Sequence, residues 1–251
     1  MKTAIVTGAG RGIGAAIAAR LAQDGFTTFA WDLAHEASAL DGVEAQTVDV
    51  ADPDAVSAAV ETVRDRTGQI DVLVNNAGIR VIGDVVSTSV EDWDRLMSVN
   101  LRAVFVASKF VVPVMLSRSR GAIVNIASMA ATNPMWDRAA YCASKAGVLG
   151  LTKQMALQYA RLGVRVNAVC PGPTLTPFMR YQLDNQPDAA AALENYQNRQ
   201  PIGRLADPEH VAAAVAYLAS DAAEVVTGAE IAVDCGTSLL NGQGASGRLA
   251  S

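Results

Sequence analysis

The sequence contains few of the side chains that bind metals or cross-link a chain. Its 251 residues include three cysteines and two histidines. An odd number of widely separated cysteines fits neither a disulfide framework nor a paired-cysteine metal site. Two lone histidines cannot supply a three-histidine or HExxH centre. We therefore expect a protein without a metal cofactor and without structural disulfides.

Charged residues are also scarce, and basic residues are the minority among them. They make up 18% of the chain, with 20 Lys and Arg against 25 Asp and Glu, which gives a net charge of −5. Because affinity for a phosphate backbone needs clustered Lys and Arg, we expect no nucleic-acid partner. The hydrophobic fraction of 51% excludes a disordered chain, and the length suits one α/β domain.

Long apolar runs are absent as well. The most apolar stretch, 103–116, is interrupted by Ser108, Lys109 and Pro113 and is short for a bilayer span. The first eight residues, MKTAIVTG, lead directly into a strand and a glycine motif, which is unlike a signal peptide. These observations predict no membrane partner and a cytoplasmic location.

What the chain does contain is an alternation of short apolar runs with helical segments. The predicted strands are 4–6, 26–31, 43–50, 70–74, 122–127, 164–169 and 231–233. The predicted helices are 12–24, 53–67, 88–118, 139–162 and one that begins near 208. Strands that are apolar on both faces and separated by helices predict a parallel sheet covered on both sides. The fold class is therefore α/β, a single doubly wound Rossmann-type domain over 1–240 with about seven strands.

Capping residues mark where several of these helices begin. Asp52 and Pro53 supply an N-cap and a first-turn proline. Thr88 and Glu91 have the spacing of a capping box, and Asp207 is placed to cap the helix near 208. These positions predict the amino-terminal ends of three helices.

Two segments do not follow the alternation. The stretch from 171 to about 205 is long, and long segments of this kind are usually lids or binding loops, so we expect a substrate lid over 173–205. The segment 241–251 is rich in Gly and Ser, and we expect a loose tail there.

A glycine-rich turn follows the first predicted strand and opens the first helix. It reads TGAGRGIG over 7–14, with glycines at 8, 12 and 14. Such a turn lets the backbone approach a pyrophosphate, which then lies at the amino-terminal end of the helix. A tight strand-to-helix turn can need glycine for its own sake, but the strand-before, helix-after context favours a dinucleotide site.

Asp32 ends the second predicted strand, 18 residues after Gly14. A carboxylate there can accept hydrogen bonds from both ribose hydroxyls of NAD and would repel the 2′-phosphate of NADP. Arg11 in the glycine turn could instead pair with a 2′-phosphate. We give Asp32 more weight because it lies where the ribose must be, and we predict NAD over NADP.

The spacing Gly-x-x-x-Gly-x-Gly resembles the short-chain dehydrogenase/reductase family. Other family motifs follow in order from residue 3 to about 238, and they are Asn75-Asn76-Ala77-Gly78, Asn100, Ser128, Tyr141-x-x-x-Lys145 and Pro171-Gly172. The resemblance implies that Asn100, Ser128, Tyr141 and Lys145 form a catalytic tetrad.

The chemistry of these residues agrees with that implication. Tyr141 and Lys145 lie four residues apart and share one face of a predicted helix. A free tyrosine hydroxyl titrates near pH 10, and a nearby ammonium favours the phenolate, which can accept the proton of an alcohol. Ser128 would hold the substrate oxygen, and the resemblance implies that Asn100 holds a water linking Lys145 to solvent.

The resemblance also implies a set of contacts with the cofactor, the last two of them near the nicotinamide or diphosphate. The set is Gly8, Arg11, Gly12, Ile13, Gly14, Asp32, Leu33, Asp49, Val50, Asn76, Ala77, Gly78, Tyr141, Lys145, Pro171, Gly172, Thr174 and Thr176.

The substrate is expected to meet residues that lie between these motifs. The candidates are Arg80, Trp136, Arg138, Phe178 and Arg180. Three arginines in three separate segments would suit an anionic substrate, although loop arginines mostly face water. We predict NAD(H)-dependent interconversion of a secondary alcohol (a sugar, polyol or cyclic alcohol) and its ketone or lactone.

Two alternative functions use the same fold, and the family resemblance also predicts an oligomer. A 3-oxoacyl-acyl-carrier-protein reductase would use the same tetrad, but it usually prefers NADP and a basic docking patch, which Asp32 and a pI of about 5.0 oppose. A non-catalytic dinucleotide-binding protein would typically show a broken tetrad. The resemblance further implies a homodimer or homotetramer built on the helices at 89–118 and 139–162.

Overall fold

The computed structural model describes residues 2–34 and 41–240. These residues form seven strands, all parallel, in the spatial order β3-β2-β1-β4-β5-β6-β7. The strands are β1 Thr3–Thr7, β2 Thr27–Asp32, β3 Val43–Thr47, β4 Val72–Asn75, β5 Gly121–Ile126, β6 Val164–Pro171 and β7 Glu230–Val233. The predicted doubly wound α/β fold is confirmed. The predicted tail at 241–251 lies outside the described residues.

Eight α-helices accompany the sheet in this part of the chain. They are α1 Gly12–Gln23, α2 Pro53–Thr67, α3 Val90–Met97, α4 Ala103–Leu116, α5 Ala139–Tyr159, α6 Pro177–Asp184, α7 Ala189–Asn198 and α8 Pro208–Ala219. The predicted third strand, 43–50, was three residues too long, and the helix predicted over 139–162 ends its α-helical part at Tyr159, before a short 3₁₀ turn.

The core lies on both faces of the sheet because successive side chains of a strand point to opposite sides. Ile5 of β1 packs in one cluster with side chains of α2, α4 and α5, whereas Val6 packs in a second cluster with side chains of α1 and α8. Both residues are fully buried. A strand in this position must be apolar at every residue, which is why the run AIV in β1 shows no alternation.

The capping predictions succeeded at two of three helices. Asp52 accepts hydrogen bonds from the first turn of α2, and Asp207 forms a reciprocal capping box with His210 at the start of α8. The box predicted for Thr88 was one residue early, because Ser89 is the N-cap of α3 and accepts from Asp92 N at 3.0 Å. His210, one of the two histidines of the chain, therefore has a structural role in the capping box with Asp207.

The predicted helix 88–118 is interrupted in its middle. A π-helical segment, Ser98–Arg102, joins α3 to α4 without breaking the helical path. The continuous stretch Val90–Leu116 is therefore long and apolar enough to cross a membrane by length and composition, and half of its most apolar part is buried within the fold. Its apolar residues pack on the sheet, as expected for the core helix of an α/β domain.

The predicted lid segment is mostly helical. After β6 the chain forms α6 and α7, and Met179 and Leu183 of α6 pack against Leu205 in a small cluster of their own. This cluster is separate from the two sheet faces. The segment predicted as a lid is therefore held by few apolar side chains, a property of segments that can open locally.

Candidate active site

The strand order reverses between β1 and β4, and this point organises the site. In doubly wound sheets ligands bind in the crevice at the carboxyl ends of the strands on either side of such a reversal. Here the two strands end at Thr7 and Asn75. The Thr7 hydroxyl accepts hydrogen bonds from the backbone N–H groups of Asn76 and Ala77, each at 3.0 Å. The predicted glycine turn and the Asn-Asn-Ala-Gly motif are thereby joined.

The glycine turn is packed too closely for side chains at its base. A Cβ on Gly14 would lie 2.0 Å from the carbonyl oxygen of Gly8, and a Cβ on Gly8 would lie 2.7 Å from the Cα of Ala77. On the outer side of the turn, Gly12 faces Thr176 of the lid, with an ideal Cβ at 3.7 Å. The turn thus has a tight inner side and an open side that faces the lid.

The open side suits the diphosphate of a dinucleotide. Helix α1 begins at Gly12, and its N-cap, Arg11, makes no side-chain capping hydrogen bond. Its first turn also contains no acidic residue. The amino-terminal N–H groups and the positive end of the helix dipole are therefore available to an anionic ligand, and the residues present fit the group that the motif predicts.

Asp32 lies beside this turn and is already hydrogen-bonded to it. One carboxylate oxygen accepts from Gly10 N at 2.8 Å, and the other accepts from Leu33 N at 2.7 Å. The side chain is half-buried, and the second oxygen also accepts from Ala34 N at 3.4 Å, so the oxygen bonded to Gly10 N is the one with a further lone pair. Asp32 therefore holds the glycine turn in place and still has acceptor capacity for a ribose hydroxyl.

Other predicted cofactor residues are positioned around the same crevice. The Asn76 side chain donates to the carbonyl oxygens of Thr7 and Gly8 at 2.9 and 2.8 Å, so its amide supports the turn. Asp49 is exposed after β3 and accepts from Ala51 N. The remaining positions differ in exposure: Ile13 and Thr176 are half-buried, Leu33 is exposed, and Val50, Pro171 and Thr174 are buried.

Lys145 is the most unusual charged residue of the site. Only 4% of it is exposed, and its Nζ donates to the carbonyl oxygen of Ile126 at 2.8 Å. The same Nζ lies 5.8 Å from the centre of the Tyr141 ring. Burial lowers the pKa of Lys145 because desolvation disfavours the ammonium, Tyr141 opposes that effect, and Arg80 adds to it. The predicted tyrosine and lysine are thus brought together on α5.

Asn100 lies in the π-helical segment and is completely buried. Its side-chain amide makes two hydrogen bonds with the backbone of Ile79. The amide oxygen accepts from the Ile79 N–H at 2.8 Å, and the amide nitrogen donates to the Ile79 carbonyl oxygen at 3.0 Å. It also donates to the Ser144 hydroxyl, which in turn donates to the Tyr141 carbonyl oxygen. Asn100 therefore connects the loop after β4 to the helix that carries the tyrosine, and π-helical turns often occur at functional positions.

Ser128 follows β5 and is mostly buried. Its hydroxyl accepts from Ala130 N at 3.1 Å, an arrangement that fixes the side chain at the strand end. Lys145 bonds the carbonyl of Ile126, two residues before it, so the serine-bearing strand end and α5 are in direct contact. The Gly78 backbone completes the cluster, because a Cβ there would lie 3.4 Å from Asn100 Oδ1 and 3.7 Å from Lys145 Nζ.

The five predicted substrate residues are not brought together as one group. Arg80 lies over Phe178, with the guanidinium carbon 5.9 Å from the ring centre. Arg180 is 4.0 Å from Asp207, and Arg138 donates to the carbonyl oxygen of Asp137 at 2.7 Å. The fifth residue, Trp136, is 95% exposed.

Two residues of this network were not found by sequence reasoning. Thr7 was read only as part of the glycine turn, although its hydroxyl accepts two backbone hydrogen bonds. Ser144 links Asn100 to the tyrosine-bearing helix. A threonine at a strand end before glycine could have suggested the first role, but Ser144 carries no signal in the sequence.

Two of the three cysteines have thiols whose pKa is raised by burial. Cys170 is buried in a small apolar cluster, and burial raises the pKa of its thiol to about 11. Burial also raises the pKa of the Cys235 thiol. Both thiols stay protonated at neutral pH, and a protonated thiol is a poor nucleophile. Within 2–34 and 41–240, no three His, Cys, Asp or Glu side chains are grouped to hold a metal ion.

Comparison with known proteins shows close relatives along the whole site. The family model described as enoyl-(acyl carrier protein) reductase matches residues 8–238. The chain is 39% identical over 251 residues to meso-2,3-butanediol dehydrogenase of Serratia marcescens, covering 96% of each protein. It is 40% identical over 244 residues to 3-oxoacyl-acyl-carrier-protein reductase of Thermotoga maritima, covering 94% of this chain and 97% of the relative.

A solved structure agrees with the sequence relatives. The ligand-free aldohexose dehydrogenase of Thermoplasma acidophilum matches with a TM-score of 0.90 and 38% identity, covering 95% of this chain and 94% of that one. The names of these proteins refer to a diol, a 3-oxoacyl-acyl-carrier protein and a sugar. They agree on oxidation and reduction and differ in the substrate.

Proposed function

The chain belongs to the short-chain dehydrogenase/reductase family of oxidoreductases, and we propose from this premise that it interconverts a secondary alcohol and its ketone or lactone with NAD(H). The substrate class is a sugar, a polyol or a cyclic alcohol. The observation that carries the proposal is the buried Lys145 ammonium, which lies against the Tyr141 ring and is bonded to the strand end that precedes Ser128.

The proton-transfer part of the mechanism follows from this arrangement. Tyr141 lies beside Lys145, with the Nζ atom 5.8 Å from its ring centre, and its phenol oxygen would accept the hydroxyl proton of an alcohol as the general base. In the reverse direction the same hydroxyl returns the proton to the substrate oxygen. Ser128, held at the end of β5, donates a hydrogen bond to that oxygen and orients it.

The bound dinucleotide supplies the acceptor or donor of hydride. Gly8, Gly12 and Gly14 would hold its diphosphate at α1, and Lys145 would hold the nicotinamide ribose hydroxyls. Asp32 would accept from the adenosine ribose, and its charge would repel a 2′-phosphate. We therefore propose NAD as the cofactor.

The first experiment measures nicotinamide absorbance during incubation with NAD or NADP and a panel of diols, sugars and cyclic alcohols. We expect turnover that is faster with NAD and that falls at least about 100-fold in Tyr141→Phe, the lower range for loss of an acid–base group. Tyr159→Phe is the matched control, because Tyr159 lies near the far end of the same helix and packs against the core.

Three results would decide against the proposal. Full activity in Tyr141→Phe would remove the tyrosine from the mechanism. An equal loss in Tyr159→Phe would mean that the substitution acts on the helix and not on the proton transfer. A Kd for NADPH below that for NADH would overturn the cofactor assignment.

A carrier-linked 3-oxoacyl reductase is the second candidate. It is favoured by the Thermotoga maritima relative, and the description of the matching family model also refers to the acyl carrier protein, although for an enoyl substrate. Reduction of an acyl-carrier-protein thioester with NADPH, together with no turnover of free alcohols, would select it. The net charge of −5 gives the chain little attraction for an acidic carrier and disfavours this candidate.

We also propose a homodimer or homotetramer located in the cytoplasm. Helices α4 and α5 border an open groove of about 710 Å³ whose lining includes Leu101, Phe105, Gly147 and Gly150. Leu101 already covers Gly147, whereas a Cβ on Gly150 would meet no atom within 4 Å, so a helix of a second subunit could approach closely at Gly150. A two-fold axis through the groove would bring the same surface of both subunits together.

A further inference from the structure

The arginines that the sequence offered for an anionic substrate differ in what surrounds them. Arg180 has Asp207 as a partner at 4.0 Å, and Arg138 donates to a neighbouring backbone carbonyl. Arg80, by contrast, has no carboxylate within ion-pair distance among the described residues. Arg138 has no carboxylate within that distance either, so Arg80 and Arg138 both carry a positive charge without an acidic partner among the described residues.

Arg80 is also the arginine that is coupled to the catalytic residues. It comes two residues after Gly78, whose backbone faces Asn100 and Lys145. Burial is the main cause of the lowered pKa of Lys145, and the charge of Arg80 makes a smaller contribution in the same direction. The crevice beside Tyr141 thus contains two cations, and Lys145 is bonded to a backbone carbonyl, not to a carboxylate.

The aromatic neighbour of Arg80 belongs to the lid. Phe178 lies in the first turn of α6, and its ring is 5.9 Å from the Arg80 guanidinium. A guanidinium over an aromatic ring is attracted to the ring face, and this contact uses none of its N–H donors. The side chain is therefore positioned without any of its hydrogen-bond donors being used by an acidic partner.

We propose that Arg80 binds a carboxylate, or another singly charged oxyanion, on the substrate, and that Phe178 holds it in position for this contact. The inference rests on the proposed function and specifies its substrate class. One guanidinium neutralises one negative charge and can form two parallel hydrogen bonds with a carboxylate. The ligand's charge also compensates the repulsion between Arg80 and Lys145, so binding gains from both effects.

The test compares hydroxy acids with their methyl esters. The probes are 3-hydroxybutyrate, 4-hydroxypentanoate and 5-hydroxyhexanoate, which place the carboxylate at three distances from the same kind of secondary alcohol. We expect at least one acid to exceed its own ester in kcat/KM by roughly 10- to 100-fold, the range for a hydrogen bond to a charged group. Arg80→Gln should abolish that ratio while it leaves turnover of the ester within a few-fold.

Matched variants separate this role from a general loss of charge. Arg161→Gln removes an exposed arginine in the turn before β6. This turn lies at the amino-terminal end of the strand, away from the carboxyl ends that carry the site, so the acid-to-ester ratio should stay unchanged. Arg80→Lys keeps the positive charge but loses the planar guanidinium that can form two parallel hydrogen bonds with a carboxylate. This variant should therefore retain only part of the acid-to-ester ratio in kcat/KM. Phe178→Leu should reduce the ratio through KM, because it removes the ring that positions Arg80.

The possible failures are distinguishable. If the esters are turned over in a Tyr141-dependent way but no acid is preferred, the carboxylate proposal is wrong and the dehydrogenase proposal stands. A preference that survives Arg80→Gln, or that disappears in Arg180→Gln or Arg138→Gln instead, also overturns it. If neither acids nor esters react while a diol, sugar or cyclic alcohol is turned over, the carboxylate proposal is wrong and the dehydrogenase proposal stands. If no alcohol of either panel reacts and NADH still binds, both proposals fail together.

Discussion

At the scale of single residues, the buried lysine has a consequence for stability as well as for catalysis. Burial lowers the pKa of Lys145 in the folded protein, whereas in the unfolded chain it keeps its ordinary value of 10.5. Between those two values the unfolded state binds more protons than the folded state. The free energy of unfolding that depends on this group therefore rises as pH rises through that interval.

We predict that wild type gains stability relative to Lys145→Met as the pH is raised from 7 to 10. Urea unfolding of both proteins without cofactor measures the difference. Lys153→Met is the control, because Lys153 is exposed and paired with Glu230, and that pairing raises its pKa. A lysine whose pKa is raised by folding contributes its full stabilisation at every pH below 10.5, so the stability difference between wild type and Lys153→Met should stay constant from pH 7 to 10. A constant or falling difference between wild type and Lys145→Met would contradict the prediction.

At the scale of elements, helix boundaries show what sequence patterns resolve. Thr88 and Ser89 are adjacent hydroxyl residues before α3, and both have an acidic residue three positions later. Spacing alone could not choose between them, and the choice of Thr88 was wrong. In the structure Thr88 donates to the Asp84 carbonyl oxygen at 2.7 Å, and this contact belongs to the preceding turn. The local path of the chain decided which hydroxyl faces the helix.

We predict that Ser89→Ala lowers the free energy of unfolding by about 1 kcal/mol, the usual value for loss of an N-cap. Thr88→Ala should cost less than half as much, because the Asp84 carbonyl also accepts from the backbone of residue 88 and stays hydrogen-bonded. Denaturant unfolding of the two variants checks the order. A larger loss for Thr88→Ala would mean that the capping assignment is wrong.

At the scale of the whole molecule, the groove between α4 and α5 is the surface that we propose as the contact between subunits. Phe105 is 53% exposed there, although it lies on a helix whose other face is packed in the core. A polar substitution at an exposed position costs the monomer little. Its effect on assembly can therefore be measured separately from its effect on folding.

We predict that Phe105→Glu lowers the molar mass measured by size-exclusion chromatography with light scattering. The variant should still unfold in one cooperative transition, which shows that the smaller species is folded. Val85→Glu is the control, because Val85 is equally apolar and more exposed but lies outside the groove. An unchanged mass for Phe105→Glu, or a monomeric wild type, would rule out this groove as the contact.

The sequence by itself determined the fold class, because period and order are local properties that a chain displays without folding. Strands apolar on both faces, helices between them, and motifs in a known order were enough to predict the parallel sheet, as β1 and β4 illustrate. The same order was enough to identify the family, since the matched region extends over residues 8–238.

Only the tertiary structure decided which of these residues meet, because contacts across the sheet depend on side-chain packing between distant segments. It placed Lys145 on the carbonyl of Ile126, and it gave Asn100 two hydrogen bonds with the backbone of Ile79 from within a π-helical turn. It also distinguishes Arg180, which lies 4.0 Å from the carboxylate of Asp207, from Arg80, which has no such partner among the described residues. No pattern of residue types contains that information, since all the arginines look alike until the fold supplies their neighbours.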